Sequence, residues 1–360
     1  MTVLQRLHLD KPFFYGVLVL AALSLLILYS ASAGEAGVAV GQGLRFVAGF
    51  AVMLLVAQIP PHQLARWSLH VYLIGLALLV LVLVVGASGK GAQRWIDLGL
   101  FSFQPSEIMK LAIPMALAGY LSRRTLPPQL PVVAVAGALI LMPTLLIARQ
   151  PDLGTAVLVM MAGLFTLFLA GMRWRVIITM LAAITALIPM VWTYLHDYQK
   201  QRILTLFSPE ADPLGTGYHI IQSMIAVGSG GLYGKGWLNS SQTHLEYLPE
   251  SSTDFVFAVF AEEFGLIGIL VMFAAYLFVV IRGLAIAYHA QDSYARLLAG
   301  GLTLTFFLYF FVNIGMVTGI LPVVGVPLPI ISYGGSSLVT LMAAFGILMS
   351  IQTHRKILQA

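Results

Sequence analysis

The sequence predicts an all-α integral membrane protein, polytopic, with about ten transmembrane helices. Three observations predict it. Apolar residues make up 59% of the chain and charged residues only 9%, the mean hydropathy is +0.94, and the apolar residues fall into runs long enough to span a bilayer. Such a composition lies far outside the soluble globular range. A spanning helix takes about 20 mostly apolar residues, so the 360 residues hold roughly ten spans with short connections. Little remains for a soluble domain, and 1–360 is read as a single membrane domain.

Charge, Gly and Pro bound ten apolar runs, at 13–32, 43–59, 67–87, 105–121, 131–148, 153–171, 176–195, 255–281, 295–319 and 337–352. The first could pass for a secretory signal, since Arg6 and Lys11 precede it and Ala31-Ser32-Ala33 resembles a cleavage site. The apolar stretch from Phe13 to Tyr29 exceeds the usual ~7–15 residues of a signal core, however, and further spans follow, so it is read as a retained helix.

Orientation follows from the basic residues. With both termini in the cytoplasm, the inner side carries Arg6, Lys11, Arg66, Arg123, Arg124, Arg173, Arg175, Arg282, Arg296, Arg355 and Lys356, which is 11 of the 19 basic residues. Of the other eight, Lys200, Arg202 and Lys235 lie in a long loop, where the positive-inside rule has little force. Acidic residues show the reverse bias: only Asp10 and Asp292 fall inside, and twelve of fourteen lie outside or within the membrane. Charge chemistry is therefore concentrated at the outer face.

Three outer segments are too long or too polar to be mere connectors: 88–104, the 59-residue extracytoplasmic loop 196–254 between the seventh and eighth spans, and 320–336. Structureless loops above about 15 residues usually have a job. Within the longest, Ile220, Ile221, Met224 and Ile225 share one helical face over 218–227, which reads as a helix lying in the interface. Seven glycines between 215 and 236 then supply turns and close backbone approach.

Several chemistries are excluded or weakened. With no cysteine there is no disulfide, thiolate metal site or cysteine nucleophile. The run Ser229-Gly230-Gly231-Leu232-Tyr233-Gly234-Lys235-Gly236 superficially resembles a phosphate-binding loop, but Ser229 stands where Gly is needed and Gly236 where Ser or Thr is needed. No nucleotide is expected. The eight histidines form no zinc spacing. The net charge of +5 suits a membrane surface or a phosphate-bearing ligand, without implying nucleic acid.

Ionisable residues within spans are functional candidates by default. Glu107 and Lys110 are three apart on one helix face, as a structural ion pair or with Lys110 facing an anionic substrate. Asp152 reads as the cap of the sixth span, alone or with a further place in a polar cavity. Asp254, in Ser251-Ser252-Thr253-Asp254, either caps the eighth span or acts as a general base, because an outward carboxylate at the membrane surface beside a Gly-rich loop suits a lipid-linked substrate. Glu262 and Glu263, about two turns deeper, read as partners of outer-loop cations rather than as catalysts.

The C-terminal stretch Asn313-Ile-Gly-Met-Val-Thr-Gly319-Ile-Leu-Pro322-Val-Val-Gly325-Val-Pro327-Leu-Pro329-Ile-Ile-Ser332-Tyr333-Gly334-Gly335-Ser336-Ser337 resembles the signature of the SEDS family, whose members serve shape, elongation, division and sporulation. The resemblance runs through Lys90-Gly91-Ala92-Gln93-Arg94-Trp95, Phe103-Gln104-Pro105-Ser106-Glu107, Gln150-Pro151-Asp152-Leu153-Gly154-Thr155, Asp212-Pro213-Leu214-Gly215 and Thr253-Asp254-Phe255. Leu321-Pro322-Val323-Val324-Gly325-Val326-Pro327 and the short tails resemble the elongation branch more than the division branch.

That resemblance implies a peptidoglycan polymerase of the bacterial cytoplasmic membrane that joins lipid II units, with Asp254 as the essential carboxylate. Undecaprenyl pyrophosphate is already a good leaving group, so transfer needs mainly a base for the acceptor hydroxyl and positive charge on the pyrophosphate. An α-linked donor giving a β-linked product means inversion, for which one carboxylate suffices. Lys110, Arg94, Arg202 and Lys235 are the candidate pyrophosphate clamps. A divalent cation, Mg or Mn, could share that work, with no ligand set readable. Implied partners are nascent lipid-linked glycan, a class B penicillin-binding protein and the rod-shape complex. Two competing readings are a lipid II transporter and a scaffold that only recruits a transpeptidase; buried charge argues against the scaffold, and the product formed from lipid II separates the other two.

Overall fold

The computed structural model describes residues 8–89, 92–97, 102–195, 197–211, 215–241 and 251–354. Arg6, Arg355 and Lys356 of the orientation argument, and Lys90, Gly91 and Asp212-Pro213-Leu214 of the quoted motifs, lie outside those residues. Each expected span is a helix: α1 Lys11–Ala31, α2 Ala36–Ala57, α3 Pro61–Val85, α4 Pro105–Leu121, α5 Leu130–Arg149, α6 Leu153–Leu169 and α7 Trp174–Tyr194 precede the long loop. Two more, α8 Asp197–Phe207 and α9 Thr216–Ser229, lie within it, and α10 Val256–Tyr288, α11 Ser293–Val317 and α12 Ser336–Thr353 follow. Among the described residues seven helices are long and apolar enough to cross a membrane by length and composition; α4 and α6, at 17 residues each, are shorter. The segment 88–104, expected as a loop, contributes to a small antiparallel sheet of β1 Ala87–Gly89, β2 Ala92–Asp97 and β3 Ser102–Phe103.

Helix α11 is the centre of the bundle, packing on α4, α6, α10 and α12, while α1 packs on α10 and α2 on α12. Its apolar residues are buried nearly all round, as a helix without a solvent or lipid face should be. Large apolar side chains on α2, α3 and α7, such as Leu44, Val84 and Ile188, point outward, where lipid tails rather than water would cover them.

The first and last described residues meet at one end of the bundle. His8 and His354 stack with ring centroids 4.1 Å apart, and Arg282, near the end of α10, holds Asp10 at 2.6 Å. An even number of crossings is what returns the C-terminus to the N-terminal side. At the opposite end, Ser251 Oγ donates to the carbonyl of Ala31.

Helix α10 is broken at Gly265, whose φ of 60° and ψ of −162° no other residue adopts without strain. The Gly-rich run 230–236 fills the break. Lys235 N–H and Gly236 N–H donate to the freed carbonyls of Glu262 and Glu263, and Leu266 N–H and Ile267 N–H donate to Gly231 O and Leu232 O. Main chain lies so close to main chain that a Cβ on Gly234 would fall 2.0 Å from Glu263 O. The stretch that resembles a phosphate loop is thus a backbone clasp, which pairs the N–H and carbonyl groups that the helix break frees.

Candidate functional site

Asp254 occupies the turn that leads into α10, at the end of the bundle opposite the termini. The helix cap is Phe255, which makes no side-chain cap hydrogen bond. The reading of Asp254 as the cap residue is therefore corrected. The turn is held through its carbonyls instead: Tyr333 N–H donates to Ser252 O at 2.9 Å, Ser332 Oγ to Thr253 O at 2.5 Å, and Asn313 Nδ2 to Asp254 O at 2.8 Å. The carboxylate lies against Gly325, where a Cβ would sit 3.5 Å from Asp254 Oδ2. Gly325 also has a φ of +72°, so a side chain there would be strained.

Val324, next to Gly325, lines a cavity of ≈ 940 Å³, mouth included, that also takes in Arg94, Asp152, Gln199 and Arg202. These residues come from β2, the start of α6 and α8, so the sheet and the long loop both serve to build one wall. Asp152 does two things at once. Its carboxylate caps α6 by accepting from Thr155 N–H at 3.2 Å, and it faces the cavity, where Gln104 Nε2 donates to it at 3.2 Å and Arg94 Nε lies at 3.8 Å. Arg94 is further fixed by Pro151 O at 2.6 Å. Two guanidinium groups and the start of α6 against one carboxylate leave an excess of positive charge, suited to a phosphate-bearing group.

Lys110 faces a second cavity. Its Nζ lies 2.6 Å from Glu107 Oε1 and 4.3 Å from the centroid of the Tyr309 ring. That cavity, ≈ 660 Å³ with its mouth, is lined by Glu107, Lys110, Tyr309 and Ser332 on the polar side and by α11 and α12 residues such as Phe306 and Leu341 on the apolar side. Tyr309 packs with Leu158 and Val326; Leu158 lines the first cavity and Tyr309 the second. Ser332 lines the second cavity and also holds the carbonyl of Thr253, next to Asp254.

Lys235 lines neither cavity. It sits at the α10 break with its Nζ 2.6 Å from Glu262 Oε1. Glu262, with no exposed side-chain surface, also accepts from Ser240 Oγ at 2.6 Å, Ser241 N–H at 3.1 Å and Ser241 Oγ at 2.6 Å. Glu263 accepts from Ser30 of α1. Sequence reasoning missed Asn313, Ser332 and Tyr333 as the residues that hold the Asp254 turn, and Tyr309 beside Lys110. The one available signal was Asn313, an amide near the C-terminal end of an apolar span. Among the described residues no three His, Asp or Glu side chains converge as a metal site.

A sequence model of the cell cycle protein family FtsW/RodA/SpoVE matches residues 4–357. The chain is 53% identical over 358 residues to the peptidoglycan glycosyltransferase MrdB of Escherichia coli K12, covering 99% of this chain and 97% of that protein. It is 32% identical over 423 residues to the peptidoglycan glycosyltransferase RodA of Treponema pallidum, covering 96% and 98%. In three dimensions it is similar to a chain of a peptidoglycan synthase complex described as coordinating polymerization and crosslinking, with a TM-score of 0.84 at 32% identity, over 97% of this chain and 99% of that one. The rod shape determining protein RodA of Thermus thermophilus is similar with a TM-score of 0.74 at 28% identity, over 97% and 98%.

Proposed function

The chain belongs to the cell cycle protein family of FtsW, RodA and SpoVE and is a peptidoglycan glycosyltransferase; we propose that it joins lipid II units beside Asp254, releasing undecaprenyl pyrophosphate, in cell elongation and rod-shape maintenance. The observation that carries this reading is the Asp254 carboxylate against Gly325, one residue from a cavity that bears Arg94 and Arg202.

The chemistry divides between those groups. Asp254 accepts the proton of the acceptor 4-hydroxyl as its oxygen bonds to the donor anomeric carbon, and the bond from that carbon to the pyrophosphate oxygen breaks with inversion. Arg94 and Arg202 take up the charge that develops on the leaving pyrophosphate. Lys110, in the adjoining cavity, offers a further cation, whereas Lys235 serves Glu262 at the α10 break. Mg²⁺ usually takes one or two carboxylates plus substrate phosphates rather than an all-protein cage, and no three such side chains converge among the described residues, so the pyrophosphate itself would supply most ligands of such an ion. Bound there, a divalent cation would add charge stabilisation to the leaving group.

The surrounding assembly follows the same reading. The protein crosses the bacterial cytoplasmic membrane with both termini inside and 196–254 outside, in agreement with its basic residues. Its partners are nascent glycan, a class B penicillin-binding protein and the rod-shape complex; the similarity to a chain of a polymerizing and crosslinking complex supports the second. Relatives that carry the name of a transferase favour transfer over lipid transport. Purified protein in vesicles with lipid II tests this directly: glycan polymer supports the reading, and lipid II moved between leaflets with no polymer overturns it.

A further inference from the structure

We infer that Asn313 is a positioning residue for transfer, holding the Asp254 carboxylate against Gly325, next to the cavity-lining Val324, through the main chain. The inference rests on the reading of Asp254 as the base. Asn313 projects from the central helix α11 and has no exposed surface. Its amide nitrogen donates to two carbonyls, Asp254 O at 2.8 Å and Val326 O at 2.7 Å. A single nitrogen therefore ties the residue that carries the carboxylate to the loop that flanks it, because Val326 follows Gly325, the residue against which the carboxylate lies.

Asn suits this task for a physical reason. A primary amide has two N–H donors on one atom, and both carbonyls can be satisfied at once. The next residues up the turn are held by the same loop, Thr253 O by Ser332 Oγ and Ser252 O by Tyr333 N–H. Ser332 is fixed in turn by the Leu328 N–H it accepts. Three consecutive carbonyls are thus gripped from one side. With the backbone pinned there, the Asp254 side chain has a fixed origin from which to reach the acceptor hydroxyl.

Asn313 is not itself a lining residue of either cavity described above, so its loss should act on the rate of transfer more than on substrate capture. Asn313→Ala removes both donors, and Asn313→Asp keeps the shape while facing two carbonyl oxygens with carboxylate oxygen. A displacement of the order of 1 Å in a catalytic group costs on the order of 10²-fold in rate. Both variants should lower kcat for polymerisation of lipid II by ~10–100-fold with KM changed less than about 3-fold. In an Asp254→Asn background, adding Asn313→Ala should change the residual rate less than about 3-fold, since residues that act as one unit are non-additive.

The outcomes separate the two layers of argument. Full activity of Asp254→Asn overturns the base reading itself. An inactive Asp254→Asn beside a fully active Asn313→Ala leaves that reading standing and overturns the inference. A multiplicative loss in the double variant, or a melting temperature that falls in step with the rate in both Asn313 variants, assigns Asn313 to holding helices together and overturns it as well.

Discussion

Lys235 and Glu262 form an ion pair with 2.6 Å between Nζ and Oε1, at the point where helix α10 breaks and the Gly-rich run of the long loop enters it. The pair converts a cation expected on pyrophosphate into one that neutralises a buried carboxylate. Lys235 is about a third exposed while Glu262 is fully buried, so removing the lysine leaves the carboxylate with only its serine donors, at a cost of about 1–3 kcal/mol. Lys235→Met should therefore lower the melting temperature sharply, and Lys235→Met with Glu262→Gln should recover most of it. Transfer activity per folded molecule should stay within a few-fold of wild type in that double variant. A loss of kcat in the double variant with stability restored would return Lys235 to the substrate.

The clasp itself depends on Gly265. A Cβ there would fall 2.4 Å from Gly234 N and 2.8 Å from Leu232 O, all main-chain atoms that cannot rotate away. Gly265→Ala should abolish accumulation of folded protein. Gly228→Ala in α9, where a Cβ would meet nothing within 4 Å, should be neutral or mildly stabilising, as Ala is in a helix interior. Detergent-solubilised yield and melting of the two variants check this, and equal behaviour would count against the clasp.

Glu107 and Lys110 make the same argument deeper in the bundle, with 2.6 Å between them and both side chains nearly buried. Exchanging the charges, Glu107→Lys with Lys110→Glu, should restore folding better than either single change does. Activity should recover less than folding, because Lys110 alone of the two carries the charge that an anion in that cavity would meet. Full recovery of glycan synthesis in the exchanged variant would leave only the structural pair.

How legible was all this in the sequence? The ten helices were readable because apolar runs of spanning length are hard to place otherwise. Their ends were less so: the second helix begins at Ala36 rather than 43, since the glycines of Gly37–Gly43 dilute the apolar signal, and α10 continues to Tyr288 past Arg282, which stays in the helix by pairing with Asp10. Asp152 could be read as a cap because capping is a local pattern. The clasp could not be read, because its bonds join main chain to main chain and leave no side-chain signature. Nor could the separation of Lys235 from Arg94 and Arg202, or the hold of Asn313 on a carbonyl 59 residues away, since those arrangements are made by tertiary packing.

The meeting of the first and last described residues is pH-sensitive. Burial lowers the His354 imidazole below its ordinary value, with His8 and His62 adding to the effect. A base with a lowered folded pKa contributes stability that is present above its unfolded pKa of about 6.5 and lost as pH falls through the folded value. The His8–His354 stack should therefore hold at neutral pH and loosen as pH falls below about 6.5. Imidazole NMR should give His354 a midpoint below that of a free histidine. His354→Phe keeps a ring that cannot protonate and should show no such acid step in melting; an identical step would place the pH dependence elsewhere.

The decisive substitution is Asp254→Asn. Because the cap position of α10 is Phe255 and the turn is held by its carbonyls, exchanging the Asp254 carboxylate for an amide leaves the backbone grip in place. Helix entry and overall folding should survive. What Asn cannot do is accept the proton of the acceptor hydroxyl, so the variant separates the carboxylate's chemistry from its setting. Losing a general base costs roughly 10²–10⁴-fold in rate, and lipid II binding should change little because Arg94 and Arg202 remain. The assay is glycan-strand formation from lipid II by folded variant and wild type side by side, with lipid II binding measured on the same samples. Near-normal polymer from the Asn variant would remove Asp254 from the chemistry, and weakened binding with an unchanged maximal rate would make it a substrate contact instead.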